Sequence, residues 1–297
     1  MRATSAARAA AAVAAVGAGG LTYSAGYEVR SYRLRRALVP VLPPGTRPLR
    51  VLHLTDLHLT PGQRRKQDWV RSLDALEPDL VIDTGDNLAH PGAVPYALDA
   101  LGPLLDRPGA FVLGSNDYWA PRPKNPLRYL VQTERRRHGT ALPWRDLRDG
   151  LAAAGWADLT NARARVRAAG LDLEFVGVDD PHIRRDRYDL VAGPPDPTAD
   201  LTIGVTHAPY RRVLDAMVAD ALPLILAGHT HGGQVCVPGF GALTTNCDLP
   251  WRQAKGVSRW GEAYLHVSAG LGTSPYAPVR FACPPEATLL TLVARDA

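Results

Sequence analysis

The sequence predicts an α/β fold built from parallel strands with helices between them. Short apolar, β-branched runs end repeatedly in polar residues, as buried strands end on loops. Stretches with apolar residues at helical spacing separate the first three runs. The polar residues that close these runs, Asp56, Asp86 and Asn116, follow one another at intervals of 30 positions. One strand–helix–strand step takes about 30 residues, so the intervals predict successive parallel strands.

The first three predicted strands are "LRVLHLTDLH", "LVIDTGDN" and "AFVLGSND", and the predicted helices between them are "QDWVRSLDALEPD" and "YALDALGPLLD". The carboxyl ends of neighbouring parallel strands meet at one edge of a sheet, where α/β proteins bind their ligands. We therefore expect the carboxylates of Asp56 and Asp86 and the carboxamide of Asn116 to lie together at that edge.

Two later predicted strands end in histidine. "DLTIGVTHAPY" ends at His207, and "LPLILAGHTHGGQV" ends at His229 and His231. With His58 and the three residues named above, seven candidate metal ligands follow five predicted strands. A single histidine is more often structural, but a mixed set of carboxylates, an amide and imidazoles is typical of Mn, Fe, Zn or Co sites. Mg and Ca prefer oxygen ligands alone.

The motifs "DLH", "GDN", "GSND", "TH" and "GHTH", in this order, resemble the signature of the calcineurin-like metallophosphoesterases from about Leu49 to the C-terminus. "GVDDP" and the C-terminal "GLGTSPYAPVRFACPPEATLLTL" are similar to its bacterial, YkuE-type envelope branch. The resemblance implies an α/β four-layer sandwich, with two facing mixed β-sheets flanked by helices. It also implies hydrolysis of phosphomonoesters or phosphodiesters.

The resemblance further implies a centre of two divalent metal ions. Asp56, His58, Asp86 and His231 would hold one ion. Asp86, Asn116, His207 and His229 would hold the other, with Asp86 bridging. Two ions at such a spacing acidify a shared water to hydroxide, the nucleophile, and stabilise an in-line phosphoryl displacement.

The motif "GSND" departs from the family pattern, which runs Gly-Asn-His followed by Asp or Glu. Without a shift, Ser115 takes the place of the ligand and Asn116 that of the histidine. With a shift of one residue, Asn116 is the ligand and Asp117 stands where the histidine would be. We favour the shift because an amide oxygen is a better metal ligand than an unactivated serine. Asp117 then becomes the candidate proton donor, if its surroundings raise its pKa.

The N-terminal part differs in composition from the rest. Residues 1–48 are interpreted as an Ala-rich hydrophobic tail and a basic, Pro-rich linker, and residues 49–297 as the metallophosphoesterase domain. The tail has nineteen uncharged residues from Ala9 to Tyr27. It fits an uncleaved membrane anchor, a cleaved export signal or a peripheral helix, because the arginines that follow resist translocation. Membrane association or export is therefore predicted, with a cytoplasmic location left open.

Positive charge is concentrated in two segments. Residues 1–50 hold eight arginines against Glu28, a net charge of +7, and the remainder outside both segments carries −8. The segment 121–148, a predicted insertion and lid, holds one lysine and seven arginines against two acidic residues, a net charge of +6. Local basic patches beside an apolar tail favour an anionic membrane surface over nucleic acid as a partner. For the segment 121–148, a solvated surface of arginines is an equal alternative. As a lid, the segment favours a larger anionic substrate such as a lipid-linked phosphate ester, with "PLRYLV" and Trp144 as apolar contacts. A nuclease and a non-catalytic scaffold of the same fold are the alternatives.

Other polar residues are predicted to be structural. Cys236, Cys247 and Cys283 cannot all pair with one another and lack Cys-x-x-Cys spacing, so small buried side chains are expected. His53 is predicted to be buried and hydrogen-bonded. Arg280 is predicted to form a structural ion pair, with a contact to phosphate as the alternative. The oligomeric state is not predicted.

Overall fold

The computed structural model describes residues 2–123 and 139–295, and within these ranges two six-stranded mixed β-sheets form the centre of the fold. The strands of the first sheet are β1 (Arg33–Leu42), β2 (Leu49–Leu54), β3 (Leu80–Asp83), β4 (Gly109–Phe111), β5 (Ala157–Asp158) and β14 (Glu286–Ala294). Their order is β1–β14–β2–β3–β4–β5. Strands β2, β3 and β4 are parallel, as the 30-residue intervals predict. Strand β5 runs parallel to β4, and β14 runs antiparallel to β2.

The second sheet carries the predicted histidine strands at its centre. Its strands are β6 (Ala162–Ala168), β7 (Leu171–Gly177), β8 (Leu201–Thr206), β9 (Leu224–Ala227), β12 (Gly256–Trp260) and β13 (Ala263–Val267). Their order is β12–β13–β9–β8–β7–β6, with β13, β9, β8 and β7 parallel. A separate hairpin joins β10 (Cys236–Val237) to β11 (Gly241–Ala242).

Helices cover the outer faces of both sheets. The helices that follow the first strands are α2 (Arg64–Arg71), α3 (Val94–Leu101), α4 (Ser115–Tyr118), α5 (Trp144–Ala153) and α6 (Arg211–Ala219). The N-terminal helix α1 (Arg2–Thr22) precedes all the strands. Side chains of α2, α3 and α5 share a buried cluster with the first sheet, and those of α6 share one with the second sheet. The sheets pack on each other through a third cluster. The predicted α/β fold of two facing mixed sheets flanked by helices is therefore confirmed.

The strand β2 shows how the sequence produces this layering. Leu52 and Leu54 pack under the helices, whereas Val51, on the opposite face, packs between the two sheets. Since side chains of a strand alternate between faces, both faces of β2 are buried and both need apolar residues.

A pair of buried histidines joins the two sheets. His53 of β2 and His266 of β13 lie with their Nδ1 atoms 2.8 Å apart, and His53 Nε2 lies 3.0 Å from Thr84 Oγ1. Burial lowers the pKa of His266 to about 3 and that of His53 well below its usual value. The prediction that His53 is buried and hydrogen-bonded is confirmed.

The domain boundary predicted at residue 49 leaves out a strand of the first sheet. Strand β1 pairs in parallel with β14 from Arg33 to Leu42. Its Pro40 and the prolines after it suggested a linker, but β1 lies at the edge of the sheet. An edge strand tolerates proline because one side of its backbone has no partner strand.

The N-terminal helix α1 extends the chain beyond this sheet. Its side chains Val13, Val16 and Leu21 are exposed. The base of the segment is fixed by Glu28, whose carboxylate accepts hydrogen bonds from the amides of Ala282 and Cys283. In the part of the chain that the structure describes, no helix is both long and apolar enough to cross a bilayer.

The predicted basic insertion at 121–148 is only partly described. Residues 124–138, including "PLRYLV" and five of the basic side chains, lie outside the described residues. Trp144, which we expected to offer apolar contact to substrate, packs against Tyr118 with ring centroids 5.1 Å apart. The guanidinium of Arg145 lies 4.4 Å from the centre of the Trp144 ring. The lid stays a prediction.

Candidate metal centre

Backbone hydrogen bonds between adjacent loops hold the first predicted ligands side by side. The amide of Asp56 donates to the carbonyl of Gly85 at 2.8 Å, and the amide of His58 donates to the carbonyl of Asp86 at 2.9 Å. The pairing of β2 with β3 therefore continues into the loops that follow these strands. This continuation brings both carboxylates and the first imidazole to one edge of the sheet.

Five of the seven predicted ligands have a left-handed backbone. The φ angles are 51° at Asp56, 43° at His58, 59° at Asp86, 69° at His229 and 50° at His231. This conformation costs roughly 1–2 kcal/mol for a residue with a Cβ atom. Such strain persists where the surroundings enforce it, and it clusters at functional sites. The strained backbone at these positions lowers local stability and directs these side chains towards one region.

Two glycines allow the motifs to approach one another. A Cβ atom at Gly114 would lie 2.2 Å from Asp86 Oδ1, and one at Gly228 would lie 2.0 Å from Thr55 Oγ1. Neither position has room for a side chain. The glycines of "GSND" and "GHTH" are therefore required by close contacts with the loops after β3 and β2.

Asp56, His58 and His231 converge on one point. Asp56 Oδ1 lies 3.8 Å from His58 Nε2 and 3.6 Å from His231 Nε2. The other carboxylate oxygen of Asp56 accepts hydrogen bonds from Thr55 Oγ1 and from the His229 amide, both at 2.9 Å. Asp56 Oδ1 and both ring nitrogens of His58 are buried without a hydrogen-bond partner. Buried polar atoms are nearly always satisfied, so this group fits a divalent cation between its members.

The carboxylate of Asp86 borders a second group of ligands. Its Oδ2 atom lies 3.6 Å from His58 Nε2 and 3.4 Å from His207 Nε2. The same oxygen accepts a hydrogen bond from Asn116 Nδ2 at 2.6 Å. His229 Nδ1 lies 3.3 Å from His207 Nε2. All seven predicted ligands therefore lie together, with Asp86 between the two groups.

Backbone carbonyls orient two of the imidazoles. His207 Nδ1 lies 2.7 Å from the carbonyl oxygen of Thr84, and His229 Nε2 lies 3.2 Å from that of Asn246. In each ring the nitrogen near the carbonyl carries the proton, because a carbonyl only accepts. This leaves the other nitrogen of each ring directed to the site, where the neutral imidazole can bind a metal, as in other metal-binding histidines.

Charge compensation shifts the pKa values of the ligands. Burial acts to raise the pKa values of Asp56 and Asp86, but the imidazoles of His231 and His207 respectively lower them below the usual range. Burial opposes protonation of His207, yet Asp86 raises its pKa well above the usual value. Burial lowers the pKa of His229 to about 4 and that of His231 to about 3. The buried carboxylates thus require positive charge beside them, which bound cations would also supply.

The carboxylate of Asp117 links the loop after β3 to the loop after β4 through hydrogen bonds. Its Oδ2 atom accepts hydrogen bonds from the amides of Asp86 and Gly114, and its Oδ1 atom accepts them from Asn87 and Leu88. Burial, followed by the charge of Asp86, raises the pKa of Asp117 to about 8. Cations at Asp86 would act in the opposite direction. Its predicted role as a proton donor stays a prediction.

A further group of polar residues, which the sequence analysis did not assign to the site, lies beside His229. The ring of His182 lies 4.1 Å from that of His229, and His182 Nδ1 lies 3.0 Å from Tyr210 Oη. Asp180 Oδ1 accepts a hydrogen bond from the His182 amide, while its buried Oδ2 has no partner. The signal was the run "LDLEFVGVDDPH", in which strand β7 ends in polar residues as the other strands do.

Arg280 binds carbonyl groups and not a carboxylate. Its guanidinium is fully buried and donates hydrogen bonds to the carbonyls of Ala269, Gly270, Gly272 and Cys283. Among the described residues it has no ion pair, so the predicted ion pair is wrong. The contacts instead tie the C-terminal segment to the turn after β13, beside the carbonyl and ring of His231.

The amino-acid sequence is similar to those of known phosphoesterases. Residues 49–233 match the family model described as calcineurin-like phosphoesterase. The chain is 25% identical to the metallophosphoesterase YkuE of Bacillus subtilis (strain 168), over 94% of this chain and 93% of that protein. It is 27% identical to the phosphodiesterase YaeI of Escherichia coli (strain K12), over 83% of each chain.

A longer animal protein matches this chain over less than half of its own length. The chain is 29% identical to a transmembrane protein with a metallophosphoesterase domain from Bos taurus, over 66% of this chain. The match covers 44% of the bovine protein, so the chain spans less than half of that relative's length.

The central position of Asp86 predicts how metal content depends on single ligands. We expect Asp86→Ala to lose both ions, because its carboxylate borders both groups of ligands. His58→Ala and Asn116→Ala should each lose chiefly one ion. Elemental analysis of the purified variants, with circular dichroism to verify folding, measures this. Asp86→Asn provides the same comparison if the alanine variant does not fold.

Ser115→Ala is the matched control for Asn116→Ala, since the two residues are neighbours in "GSND". It should keep both metals and near-normal turnover. If it lost one ion while Asn116→Ala kept two, the alignment without a shift would be correct. Retention of two metals by a folded Asp86→Ala protein with normal turnover would contradict the bridging role.

Proposed function

The chain belongs to the calcineurin-like phosphoesterase family, in the branch that includes YkuE, and on this premise we propose hydrolysis of phosphate monoesters or diesters at a centre of two divalent metal ions. As a member of this family it is a metal-dependent phosphoesterase. The observation that carries the proposal is a pair of buried ligand atoms without hydrogen-bond partners: Asp56 Oδ1, which faces His231, and His58 Nε2, which faces Asp86.

The residues divide between the two ions as follows. Asp56, His58, Asp86 and His231 hold the first ion, and Asp86, Asn116, His207 and His229 hold the second. When bound, the ions supply a hydroxide nucleophile at neutral pH and stabilise the charge of the transferred phosphoryl group. Rotation of the Asn116 amide by 180° presents its oxygen to the site in place of its nitrogen. Two carboxylates against two divalent ions leave the centre positive, which favours an anionic phosphate.

We further propose that His182 contacts the oxygen atom of the leaving group of the phosphate ester. The family's usual histidine is absent from "GSND", and Asp117 directs both of its oxygens to backbone amides. The ring of His182 lies 4.1 Å from that of His229, and His182 is only partly buried. The Asp180 carboxylate fixes its backbone, and Tyr210 contacts its ring. A ring nitrogen of His182 can therefore donate a hydrogen bond to substrate beside the second group of ligands.

The protein loaded with Mn²⁺ should hydrolyse nitrophenyl phosphate or bis-nitrophenyl phosphate. Asp86→Asn should reduce turnover by about 100-fold or more, because electrostatic stabilisation contributes most to such reactions. A chelator should abolish turnover, and added metal should restore it. We expect the simple esters to be better substrates than DNA or RNA. Faster cleavage of nucleic acid supports the nuclease alternative, and absence of turnover in fully metal-loaded protein supports the scaffold alternative.

The two candidates for the leaving-group contact predict different substrate dependence. Alkyl esters have poor leaving groups and need a proton or hydrogen bond more than nitrophenyl esters do. We expect His182→Ala to slow alkyl esters about 100-fold more than nitrophenyl esters. His182→Gln, which keeps a hydrogen-bond donor, should recover part of the loss. Steady-state rates on both ester classes measure this.

Asp117→Asn is the companion variant. If Asp117 only holds the loops, its loss should slow both ester classes equally. If Asp117→Asn slows alkyl esters selectively while His182→Ala does not, the sequence-based role of Asp117 as proton donor is right, and the role proposed for His182 is wrong.

We also propose that the N-terminal segment binds an anionic membrane surface and brings the site to lipid-linked phosphate esters. Exposed apolar side chains occur along α1 and continue at its base with Tyr23 and Tyr27. Four arginines follow within a few residues: Arg30, Arg33, Arg35 and Arg36. Aromatic residues at the boundary of an apolar helix, followed by basic residues, are typical of segments that lie at a membrane interface.

Liposome binding tests this partner. The protein should bind vesicles that contain anionic lipid, and binding should weaken steeply with salt, since the screening length falls to about 8 Å at physiological ionic strength. A variant with Arg30, Arg33, Arg35 and Arg36 changed to glutamine should bind less while retaining turnover on soluble esters. Equal binding to neutral and anionic vesicles would contradict the electrostatic part of the proposal.

A further inference from the structure

Two of the three cysteines lie next to each other behind the metal loop. The segment after His231 runs alongside the C-terminal segment that contains Cys283. The amide of Cys236 donates to the Phe281 carbonyl at 2.8 Å, and the amide of Phe281 donates to the Gln234 carbonyl at 3.1 Å. The two segments are thus held at the separation of paired strands, about 5 Å. These cysteines are separated by 46 residues, and no local sequence pattern predicts their contact.

The two thiols share one hydrogen-bond acceptor. Cys236 Sγ lies 3.2 Å from the carbonyl oxygen of Gly232, and Cys283 Sγ lies 3.5 Å from the same oxygen. Ala282, which directly precedes Cys283, has a left-handed backbone with φ 51°. Disulfides span backbones 4.4–6.8 Å apart at their Cα atoms, a range that includes the spacing of paired segments.

From this geometry we infer that Cys236 and Cys283 form a site of reversible oxidation, in which the two thiols are converted to a disulfide that crosslinks the metal loop to the C-terminal segment. The inference is independent of the proposed catalytic activity. Cys247 takes no part, because it packs in a different buried cluster, against the outer side of the second sheet.

The oxidant is a low-molecular-weight disulfide. One cysteine sulfur attacks the reagent, forms a mixed disulfide and releases one thiol. The second cysteine sulfur attacks that mixed disulfide, closes the bond between Cys236 and Cys283 and releases a second thiol. The protein thus loses two electrons and two protons, and the S–S bond of the reagent is reduced. Such a disulfide persists in an oxidising compartment and is reduced in the cytosol.

A cavity next to Cys236 gives a small reagent a route towards the two cysteines. A cavity of about 600 Å³ extends to Cys236 and is also lined by Gly232, Phe240, Trp251 and Lys255. Cys236 is 4% exposed and Cys283 is fully buried, so attack requires local opening. Cys236 is the first residue of β10, which is only two residues long and pairs with the equally short β11. Short pairings of this kind open more readily than core strands.

The crosslink would act on the metal loop. Cys283 Sγ lies 3.3 Å from the carbonyl oxygen of His231, and Cys236 follows His231 by five positions. A disulfide would therefore fix the backbone of one predicted metal ligand to the segment held by Arg280. We expect the oxidised protein to unfold at a higher temperature than the reduced protein, by about 5 °C, because the bond restricts the unfolded chain.

Thiol counting with oxidised glutathione tests the inference. The full-length protein is incubated with oxidised glutathione or with dithiothreitol, denatured without reductant and labelled with a maleimide. Intact mass should show three labels per reduced chain and one per oxidised chain, since the sequence has three cysteines. Peptide mapping of the oxidised sample should join the peptides of Cys236 and Cys283.

Three single variants complete the design. Cys247→Ser is the matched control, and its oxidised form should carry no label because its remaining thiols are paired. Cys236→Ala and Cys283→Ala should each keep two labels in the presence of oxidant. Three labels on the oxidised wild-type protein, a stable mixed disulfide with glutathione, or a crosslink that includes Cys247 would overturn the inference. The wild-type measurement decides the question even if a variant fails to fold.

Discussion

The site depends on compensation of the negative charge of two buried carboxylates, Asp56 and Asp86. Neither is more than 2% exposed, and a buried negative charge is unfavourable unless positive charge or hydrogen bonds compensate it. The structure surrounds them with imidazoles and with backbone amides, and leaves Asp56 Oδ1 without a partner where two imidazoles face it. The same arrangement that makes the carboxylates unfavourable alone makes them strong ligands for divalent cations.

The sheets supply the stiffness on which this arrangement depends. Parallel strands from both sheets end at one edge, and their interiors are fully buried on both faces. The loops that follow adopt unfavourable left-handed conformations at the ligands, which a flexible scaffold would relax. Asp117 and Arg280 stabilise the positions of neighbouring loops, because each forms hydrogen bonds with several of their backbone groups. Packing far from the ligands therefore determines where the ligands point.

The departure in "GSND" changes which side chains surround a substrate. The position after Gly114 holds a serine, and the asparagine that follows turns its amide to Asp86. On the opposite side, the end of β7 places His182 and Asp180 beside His229. The second sheet thus places a histidine beside His229. His182 belongs to a different loop from the third motif, so its position does not depend on the backbone of that motif.

The sequence alone determined the fold class, the parallel order of β2, β3 and β4, and the set of residues that meet at their ends, because strand length, helix length and alternating burial are local properties. It did not determine that residues 33–42 complete the first sheet, that Asp117 faces four backbone amides, that His182 lies against His229, or that Cys236 meets Cys283. Each of these depends on pairing between segments far apart in the chain. Only the tertiary structure fixes such register, because no local pattern records which distant loop or strand becomes a neighbour.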